Sequence, residues 1–208
     1  MATLNTYGEL KAQIESWMLA SSEITASADL VVRLSQPYIN LKLRAREMLT
    51  VADITVNGSR IALPNGYLAY RRVVVIYGDR RIPLKFVSLD KSDEMYPFAV
   101  GGTPRHFTVI GNYIQVFPVQ ADGTQVELTY YTRLEQFQSD DASDWLLASY
   151  PNIYLAAGQM YAAEFIKENE EAQKQAAICD VLISMVNAQD EQSEYSEASE
   201  FIPADVPV

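Results

Sequence analysis

The chain has 208 residues, 49% of them hydrophobic, so one domain, or one domain with an insertion, can bury a sizeable core. The net charge of −11 and the lack of a dominant basic stripe argue against tight, sequence-reading binding to nucleic acid, which needs such a stripe to displace counterions. The sequence has no apolar run of membrane-spanning length and no signal pattern at its start, and we therefore expect a soluble, unprocessed chain without membrane contact.

The first quarter of the chain has helical periodicity. In residues 5–20 apolar side chains recur at steps of three and four with polar residues between them, which is typical of an amphipathic helix. A longer helix follows, capped by Thr25 or Ser27 and running to Met48. Its apolar series is Leu30, Val31, Leu34, Tyr38 and Leu41. Pro37 should bend or split this helix, because proline removes a backbone donor and clashes with the preceding turn.

Between Leu49 and Leu134 the periodicity becomes that of strands. Three pairs of short runs each flank a dipeptide typical of a hairpin turn: Asn57-Gly58, Gly78-Asp79 and Gly111-Asn112. A last strand covers about residues 124–133, and residues 88–96 are expected to form one or two helical turns. Three consecutive hairpins predict an antiparallel sheet or a small barrel inserted between two pairs of helices.

The C-terminal part returns to helical periodicity. Ser143 and Asp144 offer N-caps for a short helix through Tyr150, which Pro151 should end or kink. Two further helices, expected to be antiparallel, lie on either side of the acidic break at residues 168–171. The apolar series of the second is Ala172, Ala176, Cys179, Leu182, Ile183 and Val186. Residues 191–208 lose this periodicity and are predicted to form an extended tail.

Charge is distributed unevenly along the chain. From Glu164 onward eleven acids stand against two lysines, whereas the rest of the chain has a net charge of only −2. The second predicted helix carries four bases, which could meet either a phosphate backbone or the acidic surface of a neighbouring subunit; we favour the subunit, since one helix with four bases is a weak nucleic-acid signal. The simpler alternative for the acids from Glu164 onward is a helix face and tail exposed to solvent. The subunit-interface candidates are Arg33, Lys42, Arg44, Arg46, Glu168, Glu170 and Glu171.

The tail is unusually apolar for a purely solvating segment. It contains Tyr195, Phe201, Ile202, Pro203 and Val206. Segments of this composition commonly order on binding, either by adding a strand to a sheet or by placing anchors in a groove. A trailing end without a role is the alternative.

No residue pattern indicates chemistry. His106 is the only histidine and therefore has no partner of its own kind for a metal site or a catalytic dyad. Cys179, the only cysteine, lies in an apolar helical series, where a small buried side chain is expected. The acids Asp140, Asp141 and Asp144 lie where a helix N-terminus favours negative charge, so capping explains them. We predict that the chain is not an enzyme and binds no cofactor or metal.

Several short motifs occur in the order found in a known protein family. They are Tyr7-Gly8-Glu9-Leu10, Leu43-Arg44-Ala45-Arg46, Leu63-Pro64-Asn65-Gly66-Tyr67, Gly102-Thr103-Pro104-Arg105, Leu128-Thr129-Tyr130-Tyr131 and Trp145-Leu146-Leu147 followed by Tyr150-Pro151. In this order they resemble the head-tail adaptor, or connector, proteins of short-tailed bacteriophages. The resemblance covers about residues 4–190, and its strength lies in the order of many weak motifs.

The resemblance implies an α+β fold in which N- and C-terminal helices form a helical bundle around an inserted antiparallel β-hairpin domain. The corresponding divisions are residues 1–48 and 135–190 for the bundle, 49–134 for the insertion and 191–208 for the extended C-terminal tail. It further implies a virion protein that assembles in the host cytoplasm at the head-tail junction. Pro37 and the acidic extension past Glu191 depart from the family pattern.

The resemblance also implies partners. The expected assembly is a ring of twelve copies docked under the portal protein, with the tail nozzle or tube below and double-stranded DNA passing through the lumen without sequence-specific binding. The apolar residues of the tail are then candidates for docking on the portal, and the β insertion is expected to face the tail or the outside. The alternative function is a monomeric ligand- or carbohydrate-binding module whose hairpins recognise a small molecule.

Overall fold

The computed structural model describes residues 4–17, 22–56, 60–98 and 101–198, with the side chains at 22–27, 77 and 193–198 outside the description. The chain divides into two compact units: a helical unit formed by Met1–Glu47 and Leu134–Val208, and a β unit formed by Met48–Arg133. The predicted α+β class is confirmed by the helices and two sheets among the described residues.

Two helices begin the helical unit. The first, α1, spans Tyr7–Trp17 and buries Tyr7, Leu10 and Ile14. The second, α2, spans Ser22–Lys42 and is followed by a short 3-10 helix at Arg46–Met48, so the single helix predicted from about residue 25 to Met48 is wrong at both ends.

Pro37 does not split α2, contrary to one of the two predicted outcomes. Proline has no N–H, so the carbonyl of Arg33, four residues earlier, receives no helical hydrogen bond. The side chains of Pro37 and Arg33 are both exposed. Because that carbonyl lies on the solvent side, water can satisfy it. The helix therefore continues without its missing hydrogen bond.

Three helices form the C-terminal part of the helical unit: α4 at Trp145–Ser149, α5 at Pro151–Phe165 and α6 at Asn169–Ala198. The Asp144 side chain caps α4 by accepting a hydrogen bond from the Leu147 N–H at 2.7 Å. Tyr150 leaves the helical conformation and Pro151 occupies the first turn of α5, which confirms the break predicted there.

The extended tail predicted from residue 191 is wrong for its first part, since α6 continues to Ala198. Residues 190–198 contain Glu, Gln and Ala, which are good helix formers, and neither glycine nor proline. Local propensity therefore extends the helix although its apolar periodicity has ended. Residues 199–208 lie outside the described residues.

The turn between α5 and α6 is closed by two backbone hydrogen bonds. The Glu168 N–H donates to the Ala163 carbonyl at 2.9 Å, and the Lys167 N–H donates to the Glu164 carbonyl at 3.1 Å. This pair is the Schellman arrangement, whose turning residue adopts a left-handed conformation. Lys167 occupies that position with φ 64°, where glycine is usual.

The helical core is centred on α5, which packs against α1, α2, α4 and α6. Gly158 permits the close approach of α1, because a Cβ at this position would lie 2.4 Å from Cδ1 of Ile14. Two buried side chains of α2 hold the backbone that returns from the β unit. Asn40 accepts from the Leu134 N–H at 2.8 Å and donates to its carbonyl at 3.3 Å, and Gln36 donates to the Glu135 carbonyl at 2.7 Å.

The described residues of the β unit form eight strands and one α-helix. They are β1 Leu49–Thr55, β2 Arg60–Ala62, β3 Tyr67–Tyr77, β4 Arg80–Pro83, β5 Lys85–Phe86, α3 Leu89–Met95, β6 His106–Ile110, β7 Tyr113–Phe117 and β8 Gln125–Thr132. One sheet has the order β1-β8-β3-β4 and the other β2-β7-β6-β5. Both sheets contribute side chains to one apolar core, including Val73 and Leu128 from the first and Phe107 and Ile114 from the second.

Two of the three predicted hairpins are confirmed. β3 pairs with β4 around Gly78, and β6 pairs with β7 around Gly111; both glycines have positive φ, at 61° and 57°. The third prediction, a hairpin at Asn57-Gly58, is wrong for its strands, because β1 pairs with β8 and β2 pairs with β7; Asn57 and Gly58 themselves lie outside the described residues. The buried side chain of Ile61 faces Ile114 in the second sheet, so the chain crosses between sheets here.

Candidate assembly surfaces

Helix α2 carries a row of exposed apolar side chains. Leu30, Leu34 and Leu41 are 53%, 43% and 75% exposed, and Pro37 between them is exposed as well. Spacings of four, three and four residues place them in one line along the helix, on the side opposite the buried positions. We call these four residues the α2 face. Single exposed leucines are ordinary, whereas an aligned row is typical of a surface that another protein covers.

Helix α6 carries a second such row. Ile178, Val181 and Met185 are 41%, 51% and 61% exposed, and their spacings of three and four residues align them. The buried residues Cys179 and Ile183 occupy the other side of the helix. We call the three exposed residues the α6 face.

A shallow cleft borders the α6 face. Its walls come from the junction of α4 and α5, at Tyr150 and Pro151, and from Leu182, Met185 and Val186 of α6. The cleft holds about 200 Å³ and its lining is mostly apolar. It could receive one or two apolar side chains of a partner, but it is small for a ligand pocket, which usually holds about 300–1,000 Å³.

Two of the predicted interface bases have partners within the chain. Arg33 pairs with Asp29 one turn earlier at 2.7 Å. Lys42 pairs with Asp180 of α6 at 2.6 Å and donates to the Tyr38 hydroxyl at 2.7 Å. Hydrogen bonds from Lys42 and then Tyr38 hold the pKa of Asp180 below its usual value. Arg33 therefore forms an ion pair within α2, and Lys42 joins α2 to α6.

The other two predicted bases follow the end of α2. The Arg44 guanidinium donates to the Asn40 carbonyl at 2.9 Å and so caps the helix C-terminus. The Arg46 backbone N–H donates to the Asp190 carboxylate, while its side chain is exposed. In the described part of the chain, the Arg46 side chain forms no ion pair.

The predicted acidic candidates lie at the start of α6. Glu168 and Glu170 are exposed and form no ion pair within the residues described. Glu171 accepts from Gln175 at 2.7 Å and pairs with Lys174 at 3.2 Å. These hydrogen bonds, that from Gln175 first, lower the pKa of Glu171. The ion pairs of Arg33 and Lys42 are thus made with acids other than those predicted.

The proposed docking residues of the tail cannot be placed. The side chain of Tyr195 lies outside the described residues, although its backbone belongs to α6. Phe201, Ile202, Pro203 and Val206 lie outside the described residues entirely.

Comparison with known families identifies the chain. The family model of the SU10 adaptor protein matches residues 5–199, which is nearly the whole sequence. The chain belongs to the SU10 adaptor protein family. The match supports a structural adaptor protein of a bacteriophage, and hence a component of the virion, rather than an enzyme. No curated protein matches the chain.

The two units of this adaptor differ strongly in charge. The helical unit contains twenty acids and seven Lys or Arg residues, a net charge of −13, whereas the β unit contains seven acids and nine bases, a net charge of +2. The acidity of the adaptor therefore resides in its helical unit.

The single histidine of the adaptor has a structural environment. The Tyr96 hydroxyl lies 2.6 Å from Nδ1 of His106, and the Tyr96 ring stacks on Phe117 with centroids 5.4 Å apart. Cys179 is buried against the Ile153 carbonyl, and burial raises the pKa of its thiol to about 11. Across residues 4–198, apart from the three gaps, no group of His, Cys, Asp and Glu is arranged to hold a metal ion. In the same described ranges no helix is both long and apolar enough to cross a membrane.

Neither apolar face is evident as a surface from the sequence. Leu30, Leu34 and Leu41 belong to the same predicted apolar series as Val31, yet only Val31 of these four is buried. The signal that could have separated them is that α2 has too many apolar residues for one side: Val31, Val32 and Ile39 already define the buried side. A helix that is apolar on two sides indicates two partners.

Proposed function

We propose that this protein is a head-tail adaptor that forms a ring between the portal protein and the tail of a phage. The family match over residues 5–199 carries this proposal. The earlier resemblance to adaptors of short-tailed phages adds a ring of twelve copies, a portal above and a tail nozzle or tube below.

The exposed surfaces of the helical unit support a ring. A closed ring is built from head-to-tail contacts, each of which joins two different patches of the same subunit. The α2 face and the α6 face are two such patches, and both are apolar rows on helices of one unit. The exposed charges of Arg46, Glu168 and Glu170 are proposed to lie near the contacts between copies, beside the other charged interface candidates.

The charge of the helical unit supports a passive role toward DNA. In this proposal the ring surrounds double-stranded DNA during its ejection. A wall rich in acids repels phosphate and gives the genome no binding sites to be held by. The net charge of −13 on the helical unit suits such a wall better than the +2 of the β unit.

Mass measurement of the purified protein, alone and with its portal, tests the proposal. The expected result is a ring of the chain or a complex of many copies with the portal. A chain that stays monomeric under both conditions and binds a small molecule would instead establish the ligand-binding module. The apolar lining and 200 Å³ volume of the cleft on α6 do not favour a carbohydrate, which presents many hydroxyl groups.

Truncation tests the proposed docking of the tail on the portal. Removing residues 199–208 leaves α6 intact, whereas a cut at residue 190 would remove the Asp190 carboxylate that accepts the Arg46 N–H. We expect the shorter truncation to weaken co-purification of the portal without changing the thermal melting of the adaptor. Unchanged portal binding would assign docking to another surface.

A further inference from the structure

We propose that the α2 face of one copy packs against the α6 face of the next copy, with the two helices parallel. This inference rests on the proposed ring and names the contact that would close it. It is argued from the spacing of the two faces, the direction of the two helices and the charges beyond their ends.

The spacing of both faces is that of a two-helix seam. Helices that pack along their length at a small angle present apolar residues at alternating steps of three and four. The α2 face has steps of four, three and four, and the α6 face has steps of three and four. Each face is exposed in the isolated chain, so neither seam has its second helix among the described residues.

Symmetry decides the relative direction of the helices. Along one chain α2 and α6 run the same way, because Tyr38 bonds Asp180, the Lys42 carbonyl bonds Asn187, and the Arg46 N–H bonds Asp190. A ring of twelve turns each copy by only about 30° from the last. The α6 helix of the next copy therefore remains within about 30° of parallel to α2, which excludes an antiparallel seam.

A single parallel register seats the large side chains of both faces. It places Leu34 beside Ile178, Pro37 beside Val181 and Leu41 beside Met185, since each pair is separated by the same offset in sequence. Continued one turn toward the N-termini, it brings Leu30 to Lys174, whose aliphatic stem can cover a leucine. A shift of one heptad in either direction would leave a leucine opposite a polar residue, either Leu41 opposite Gln192 or Leu34 opposite Glu171.

One pair of opposite charges lies beyond the seam in this register. The exposed side chain of Arg46 follows α2, and the same offset brings it to the level of Asp190 of the next copy, one residue before Glu191, while Glu47 reaches the level of Glu191. Glu191 is exposed and forms no ion pair in the part of the chain that the structure describes. The acids at residues 168–171 lie at the other end of α6, away from the bases of α2. The occupant that fits the α2 face is thus a second copy of this chain.

Cysteine cross-linking of the full chain tests the contact. The double variant L41C/M185C places one thiol on each face of every copy. Oxidation in the presence of purified portal should give a ladder of covalent multimers on a denaturing gel, because each copy links to two neighbours. L41C alone, M185C alone and the wild-type chain, in which Cys179 is buried, should remain monomeric.

Other contacts between copies would give different patterns of cross-linked products on the gel. Dimers from L41C alone would show that two α2 faces meet each other and would overturn the inference. A ladder from L41C/I178C that exceeds the ladder from L41C/M185C would also overturn it, since that pair meets in an antiparallel seam. A ring detected by mass without any ladder would overturn this contact but leave the proposed function standing. Failure to form any ring or portal complex would overturn both.

A charged substitution in the seam tests the same contact independently, through its effect on assembly. L41D should abolish ring or portal-complex formation while leaving the thermal melting of the monomer within a degree or two, since Leu41 is exposed there. Q173D, an exposed change on α6 outside the α6 face, is the matched control and should assemble normally. Normal assembly of L41D would overturn the inference.

Discussion

The helical unit and the β unit of this adaptor use their apolar residues differently. In the helical unit, the seven residues of the two faces are aligned in two rows on α2 and α6, and of the exposed large hydrophobic side chains that the structure describes there only Trp17 and Phe165 lie outside these rows. In the β unit, the exposed apolar residues are spread over several strands, α3 and its flanks: Val51, Phe86, Leu89, Met95, Phe98 and Tyr113. Only the rows have the periodicity of a further helix contact. The difference teaches that periodicity, rather than the amount of exposed apolar surface, distinguishes a prospective interface.

Buried polar side chains bond the backbone in both units. In the β unit, Gln120 donates to the carbonyls of Gly102 and Pro118. In the helical unit, Asn40 and Gln36 bond the backbone at residues 134–135. Its second segment, from Leu134 onward, is therefore fixed by directional hydrogen bonds as well as by packing.

The largest effect is expected from leucine truncation in the β core. Leu128→Ala should lower the free energy of unfolding by about 2–5 kcal/mol, because it leaves a cavity among fully buried side chains. Leu41→Ala removes the same atoms from a side chain that is 75% exposed and should change stability by less than about 0.5 kcal/mol. Urea unfolding at low protein concentration measures both. Equal losses would mean that the α2 face is buried in solution even without a partner.

A smaller loss is expected from the polar contacts of the helical unit. Asn40→Ala removes both hydrogen bonds to the Leu134 backbone and leaves a buried N–H and carbonyl without partners. The expected loss is about 2–3 kcal/mol, from the desolvation cost of such groups. Asn152→Ala, at an exposed position in α5, is the control. A loss no greater than the control's would show that packing alone holds the second segment of the helical unit.

The elements whose conformation depends on neighbouring residues were predicted from the sequence. Pro151 and the Asp144 cap fixed the break between α4 and α5, and Gly78 and Gly111 fixed two hairpins. Each of these features depends on residues within one or two turns. The family resemblance had the same basis, since it was assembled from short motifs in order.

Features that depend on distant residues were not predicted. Asn57-Gly58 has a strong hairpin signal in the sequence, yet the residues of β1 pair with residues of β8 that follow 70 to 82 positions later. The parallel pairing of β5 with β6 likewise joins segments separated by α3. In both cases tertiary pairing overrode the local preference.

The candidate surfaces were predicted only in part for the same reason. The bases of α2 were recognised by their charge, but the partner of Lys42 is Asp180, 138 residues away, which no local pattern reveals. The α2 face was visible as a row of leucines. The exposure of this face could not be predicted from the sequence, because periodicity alone does not show which side of a helix packs against the core.

A gain in stability of about 0.5–1 kcal/mol is expected from Lys167→Gly. Lys167 ends α5 in a left-handed conformation, which costs a residue with a side chain about 1–2 kcal/mol, partly offset by the greater chain entropy of glycine. Lys174→Gly, within α6, should instead destabilise by about 1 kcal/mol. Thermal or urea unfolding distinguishes the two signs. A loss in both variants would show that the turn tolerates lysine without strain.

An effect no larger than that of Lys167→Gly is expected from the ion pair that joins α2 to α6. Hydrogen bonds from Lys42 and Tyr38 lower the pKa of Asp180 in the folded chain, so its contribution is fully present above the unfolded-state pKa and is lost as the pH falls through the lower folded-state value. Since both charged side chains are roughly half exposed, Asp180→Asn should cost only about 0.5–1 kcal/mol at pH 7. The cost should shrink below about pH 4, where the carboxylate begins to be protonated in the unfolded chain, and should vanish once the pH falls below the lower folded-state pKa.

The pH dependence separates charge from hydrogen bonding in this contact. Asparagine can still accept from the Tyr38 hydroxyl, but it cannot attract the Lys42 ammonium, so a loss that disappears in acid belongs to the ion pair. Asp141→Asn, an exposed loop acid, provides the matched control for the change in net charge. A deficit of Asp180→Asn that is constant between pH 7 and pH 2 would assign the effect to hydrogen-bond geometry. In that case the charge of Lys42 would have no role in fixing α6, and the direction shared by the two helices would rest on hydrogen bonds, among them those of the Lys42 carbonyl and the Arg44 and Arg46 N–H groups to α6.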